Sequence, residues 1–349
     1  MNVSQLKNIS KKDALITLSP IIALLICLLM TNQRSPDQSP LYPQSNQSFW
    51  FCFISLCASR LHVIMTVFRS HLNPQILKSR IPQIVIIPTV VLMLYFSNHW
   101  FFNFIGIIVL YWDMWHSAMQ VYGFSRLYDF SIAENKQHSQ NKYFKFSEIL
   151  FSFSIVLIPH FLVLFSVDPK DYEAAASLFI GSEKSSSIFV ASNIQIFYDF
   201  FYFLFFIAIL NYVLSLIKRS QQNYQNDIRK YLLYTSIAVA SFVSASRVTV
   251  LEMICLHNLY HAMQYYLSLY YLNKLDVNKS TGYVMTFFAK NYKPIFMTSL
   301  IALFVLLLSS TNHILELPLN NKTWLIFSLL HFYADGFIWS VSKNEVSAH

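Results

Sequence analysis

Apolar stretches of roughly 16 to 27 residues follow one another along the chain, separated by short polar connections, and each is about the length that crosses a bilayer as a helix. They fall at about 14–30, 49–68, 82–97, 101–122, 148–166, 191–217, 231–246, 249–272, 294–311 and 323–341. The pattern predicts an all-α, multi-pass transmembrane helical bundle of about ten spans, with residues 1–349 forming a single integral membrane domain. Between the seventh and eighth stretches there is no polar loop, and Ser244-Ala-Ser-Arg-Val248 is read as a tight turn. The stretch 14–30 follows Lys11 and Lys12 but lacks a small-x-small cleavage site after it, so it is read as a retained span.

Charge gives the bundle an orientation. Nineteen Lys and Arg residues fall in connections on the side of the first Lys cluster, and five (Arg34, Lys170, Lys184, Arg247 and Lys322) fall on the other. That asymmetry predicts a bacterial-type inner (cytoplasmic) membrane protein with both termini cytoplasmic. It also accounts for the net charge of +8 without nucleic acid as a partner. Hydrophobic residues make up 55% of the chain and charged residues 12%, half the charge of an ordinary soluble domain. Five glycines leave no phosphate-binding loop, and neither G-x-S-x-G nor H-E-x-x-H occurs. The four cysteines all lie in apolar stretches without C-x-x-C spacing, which argues against a disulfide framework or a zinc finger.

The candidate chemistry is the polar residues that enter the spans, because an ionisable group in lipid is costly to keep. The second span carries Arg60 and His62, and the fourth carries Asp113, His116 and Gln120. The eighth carries Glu252, His257, His261 and Gln264, and the tenth His331 and Asp335. His257 and His261 are four residues apart, so on a helix they share one face and are expected to bind one ion together; His331 and Asp335 repeat the spacing. In the charge-derived topology these four spans run in the same direction, and the histidines sit roughly 8 to 15 residues in, within a slab on the order of 10 Å thick. His62, His116, His257, His261, His331 and Asp335 are therefore the expected metal ligands, with Asp113, Gln120 and Gln264 expected to orient the ligating imidazoles. Arg60, Arg247 and Glu252 read as structural ion pairs, His160 beside Pro159 as a reserve ligand, and Tyr265, Tyr266, Tyr270 and Tyr271 as packing or interface residues.

The order and spacing of His62, His116 and His257-x-x-x-His261 resemble the intramembrane histidines of bacterial Brp/Blh-type β-carotene 15,15′-dioxygenases. The resemblance covers roughly residues 50 to 270. It implies four histidines on membrane helices holding a single iron that works with dioxygen on a polyene.

The expected function is a membrane-embedded non-haem iron oxygenase, of the dioxygenase or the hydroxylase/desaturase type, using one or two Fe2+ ions on a lipophilic substrate. Its partners would be the lipid bilayer, that substrate and dioxygen. Two other classes fit the same residues: a metal-ion or proton transporter using the His and Asp side chains as a relay, and a membrane acyltransferase with His331 as base. The prolines inside the spans (Pro20, Pro88 and Pro159) show no repeat of the kind transporters with broken helices carry.

Overall fold

The computed structural model describes residues 10–31, 46–71, 99–132, 141–164, 194–222, 224–225, 227–276 and the isolated positions 86, 89, 90, 93 and 331. These residues form seven long helices and no strand: α1 (Lys11–Met30), α2 (Asn46–His71), α3 (His99–Phe130), α4 (Lys142–Leu164), α5 (Ile194–Gln221), α6 (Ile228–Arg247) and α7 (Val250–Asp276). Each covers one of the apolar stretches read from sequence. The stretches 82–97, 294–311 and 323–341 lie outside the described residues, apart from a few isolated positions and His331.

Among the described residues, three helices are long and apolar enough to cross a membrane by length and composition: Lys11–Met30, Lys142–Val163 and Asp199–Gln221. The outward faces of two of them show what solvent they suit. On α5, Phe203, Phe206, Leu210, Val213, Leu214 and Ile217 are all exposed at helical spacing, and α1 exposes Leu18, Leu25 and Leu29. Apolar stripes this continuous have no place in water, and they are the surface that a lipid environment requires.

Local sequence explains where the helices start and stop. Ser10 caps α1 by accepting from Asp13 N at 3.1 Å, and Asp227 caps α6 by accepting from Arg229 N at 2.8 Å. The break between α6 and α7 comes at Val248 and Thr249, slightly beyond the turn expected at 244–248, with Val248 extended (φ −123°, ψ 170°). Thr249 and Glu252 then form a reciprocal capping box: Thr249 N and Oγ1 donate to the Glu252 carboxylate at 2.8 and 2.9 Å, and Glu252 N donates back at 3.4 Å. Glu252 thus holds a helix start, where the sequence suggested an ion pair.

The helices divide into two packing groups that share α1, α4, α6 and α7. Helix α7 lies mainly against α1 and α2, while α4 lies against α3, α5 and α6. Toward one end the core is Ala23, Cys27, Phe51, Cys52, Met253, Leu256 and Tyr260. Toward the other it is Ile16, Ala118, Val121, Ile155, Leu233, Tyr234 and Ile237. Small side chains set the α1–α6 approach: Ser19, Ala23, Ser236, Ala240 and Ser241 are all buried, and the Ser236 hydroxyl donates to the Thr17 carbonyl at 2.5 Å. Close helix contact through such residues is the usual means of packing where lipid removes the hydrophobic drive between helices.

Candidate metal centre

Histidines from three described helices, together with His331, meet in the interior. His62 comes from α2, His116 from α3 and His261 from α7, and all four are buried. Taking one ring nitrogen from each, the four atoms lie within 4.8 Å of one another. His261 Nε2 is 3.1 Å from His62 Nε2. Two nitrogens bound at about 2.1 Å to one tetrahedral ion stand roughly 3.4 Å apart, so this pair is close to ligating geometry.

The ring arrangement agrees with a shared centre. Ring centroids are 4.3 Å apart for His62 and His331, 4.8 Å for His62 and His261, and 5.0 Å for His116 with either His261 or His331. His62 and His116 are 6.4 Å apart. Imidazoles on one ion place their centroids roughly 4.5 to 6.5 Å apart, from adjacent to opposite positions. Four imidazoles gathered without an ion would crowd lone pairs against one another in a medium of low dielectric, whereas a cation at their centre turns those lone pairs into bonds. The residues present therefore fit a borderline transition metal with nitrogen ligands.

The surrounding packing fixes the rings. Tyr265, fully buried one turn after His261, sets its ring edge-on to His62 at 3.9 Å. Tyr266 donates to the Ala58 carbonyl at 2.5 Å, tying α7 to the turn of α2 just before His62. Gln120, one turn after His116, donates to the His261 carbonyl at 3.1 Å and to Gln264 Oε1 at 3.2 Å. Gln264 in turn donates to the Ile16 carbonyl at 3.4 Å on α1. These two amides were expected to hold imidazoles; their hydrogen bonds instead join the backbones of α1, α3 and α7, and they position His261 through its main chain.

His257 departs from the expected ligand set. It lies on α7 one turn before His261, but its Nδ1 is 2.6 Å from the Tyr260 hydroxyl and its ring faces His160 on α4, with centroids 5.4 Å apart. Helical spacing put His257 and His261 on one face; it did not show that α4 would bring a third imidazole to the first of them. His160, read from sequence only as a reserve, is the imidazole that lies beside it. The side chain of Asp113 and the whole of Asp335 lie outside the described residues, as does the side chain of Arg60.

A second polar cluster, which sequence reading missed, lies at the end of the bundle that holds the start of α1. Arg126 and Asp129 on α3, Glu148 on α4, Arg219 on α5 and Lys230 on α6 are all buried and paired. Glu148 accepts from Arg219 at 2.5 Å, from Arg126 at 3.4 Å and from Lys230, and Asp129 accepts from Lys230 at 2.8 Å. The sequence had counted the three cations toward orientation. Two acidic residues placed among the Lys and Arg at the ends of the apolar stretches were the available signal.

Comparisons with protein-family models, with curated proteins and with solved structures find no match for this chain.

Proposed function

We propose that the chain is a membrane-embedded non-haem iron oxygenase in which His62, His116, His261 and His331 hold the metal. The observation that carries this reading is the convergence of four ligand nitrogens within 4.8 Å of one another from separate parts of the chain. Ferrous iron with open coordination positions supplies the activation of dioxygen that such a reaction needs. The chain's own contribution is to fix the four rings, to exclude water and to admit an apolar molecule. Tyr265 and the Gln120–Gln264 pair hold the rings, and the buried apolar residues Leu61, Met114 and Ala118, within two positions of His62 and His116 on α2 and α3, keep the interior dry.

The substrate class follows from the surroundings. The helices turn apolar faces outward, so a hydrophobic chain can approach sideways through lipid more readily than a charged metabolite can. The resemblance of His62, His116 and His261 to the carotenoid-cleaving membrane enzymes favours a polyene, within a ten-span bundle whose two ends face the cytoplasm. Elemental analysis of detergent-purified protein tests the metal. Wild type is expected to retain about one iron per chain in this centre and His261→Ala to lose it. Equal metal in both, or metal flux into vesicles with none retained on purification, would overturn the reading and favour a transporter.

A further inference from the structure

The pair formed by His160 and His257 is separate from the four-histidine centre. His160 lies on α4 directly after Pro159, and His257 lies on α7; both are buried. The Val156 carbonyl is 2.7 Å from His160 Nδ1, and a carbonyl only accepts, so Nδ1 carries the proton of the neutral ring. His160 Nε2 is therefore a lone pair, and it is buried with no hydrogen-bond partner. The Met253 carbonyl also lies beside this ring, and being an acceptor it brings no proton to the lone pair at Nε2. His257 Nε2 is likewise buried without a partner, because the Tyr260 hydroxyl engages Nδ1 on the other side of the ring.

We infer that His160 and His257 form a second metal site, in which the two Nε2 atoms bind one divalent transition-metal ion whose remaining positions are filled by water or another small ligand. The geometry fits. With each nitrogen at about 2.1 Å from the ion, ring centroids 5.4 Å apart correspond to an angle at the metal near the tetrahedral value. An uncompensated buried lone pair is costly, and two on neighbouring perpendicular rings cost more; an ion bound by both would remove both costs. The Tyr260 hydroxyl oxygen can accept a hydrogen bond from His257 Nδ1–H, and that tautomer leaves Nε2 free to ligate, as neighbours of metal-bound imidazoles commonly do. Two protein ligands leave more open positions here than four do at the first centre, so this site is the more labile and the more accessible to a small ligand.

Co2+ alone is the probe, added anaerobically to full-length, chelator-stripped protein in detergent, with bound metal read by equilibrium dialysis and by visible absorption. Wild type is expected to bind two equivalents. His160→Ala and His62→Ala should each bind one, with different spectra, because each removes a different site. Helicity and a monodisperse elution profile establish that a variant is folded, and His160→Gln, which can still donate to Val156, replaces the alanine variant if that does not fold. Saturation of wild type at one equivalent that His160→Ala retains and His62→Ala loses would overturn the second site and leave the first standing. One equivalent lost in His160→Ala and kept in His62→Ala would support the second site and overturn the first.

Discussion

Two polar clusters are buried in this apolar bundle, and they are built on opposite principles. At the end near the start of α1, three cations and two carboxylates from four helices neutralise one another almost completely. Farther along, four imidazoles from separate segments lie mainly against one another and Tyr265. The first cluster is close to complete as it stands: each cation lies against a carboxylate, with one positive charge in excess, and removing a carboxylate leaves the cations under-compensated. The second gathers acceptor nitrogens around a point, and a cation at that point is what completes it. A buried charge network is thus a device for fixing how α3, α4, α5 and α6 assemble, whereas the histidine set is a device for holding something else.

The contrast can be broken at either cluster. The largest effect is expected from Glu148→Ala, which leaves Arg126, Arg219 and Lys230 to share Asp129 alone in the interior; a loss of about 3–5 kcal/mol should appear as a much lower unfolding temperature in detergent. The double change Glu148→Gln with Lys230→Met keeps the net charge of the cluster and should cost clearly less than the single change. If it costs as much, the cluster is not acting through charge compensation. His62→Ala should do the reverse: metal retention by the four-histidine centre falls at least tenfold, while the melting temperature of the metal-free protein changes far less than for Glu148→Ala.

Two smaller effects sharpen the account of how the site is held. Gln264→Ala removes the hydrogen bonds to Gln120 and to the Ile16 carbonyl, and is expected to cost about 1–3 kcal/mol and to weaken metal binding roughly tenfold by releasing the His261 backbone. Metal titration that matches wild type would mean that the amide pair is only a packing feature. Thr249→Ala removes one half of the α7 cap and should cost about 1 kcal/mol with metal binding unchanged, as measured by thermal unfolding beside a metal titration.

How much of this could be read from the chain depended on whether the signal was local. Helix length and position were legible because an apolar run needs no partner to declare itself; α2, α3 and α7 lie where residues 49–68, 101–122 and 249–272 placed them. His62, His116, His261 and His331 were picked out by their cost in lipid, and that cost is independent of what they touch. Partner choice was not legible. His257 and His261 share a helical face, yet α4 meets α7 so that His160 approaches one and not the other, which is a matter of helix packing that spacing cannot supply. Gln120 looked like an imidazole partner because it lies one turn from His116, but the nearest acceptors in the fold are a backbone carbonyl and another amide. Asp129 and Glu148 were hidden for a related reason: one falls just past the stretch 101–122 and the other opens the stretch 148–166, neither position names a partner, and only the convergence of four helices made them core.

X-ray absorption at the iron edge, on iron-loaded His160→Ala protein so that only the four-histidine centre is filled, tests the central claim most directly. The account predicts a nitrogen-rich shell at about 2.1 Å with the outer-shell pattern of about four imidazoles, and loss of that pattern when His261→Ala is added. A shell of oxygen ligands without imidazole scattering, or a spectrum that His261→Ala leaves unchanged, would contradict it.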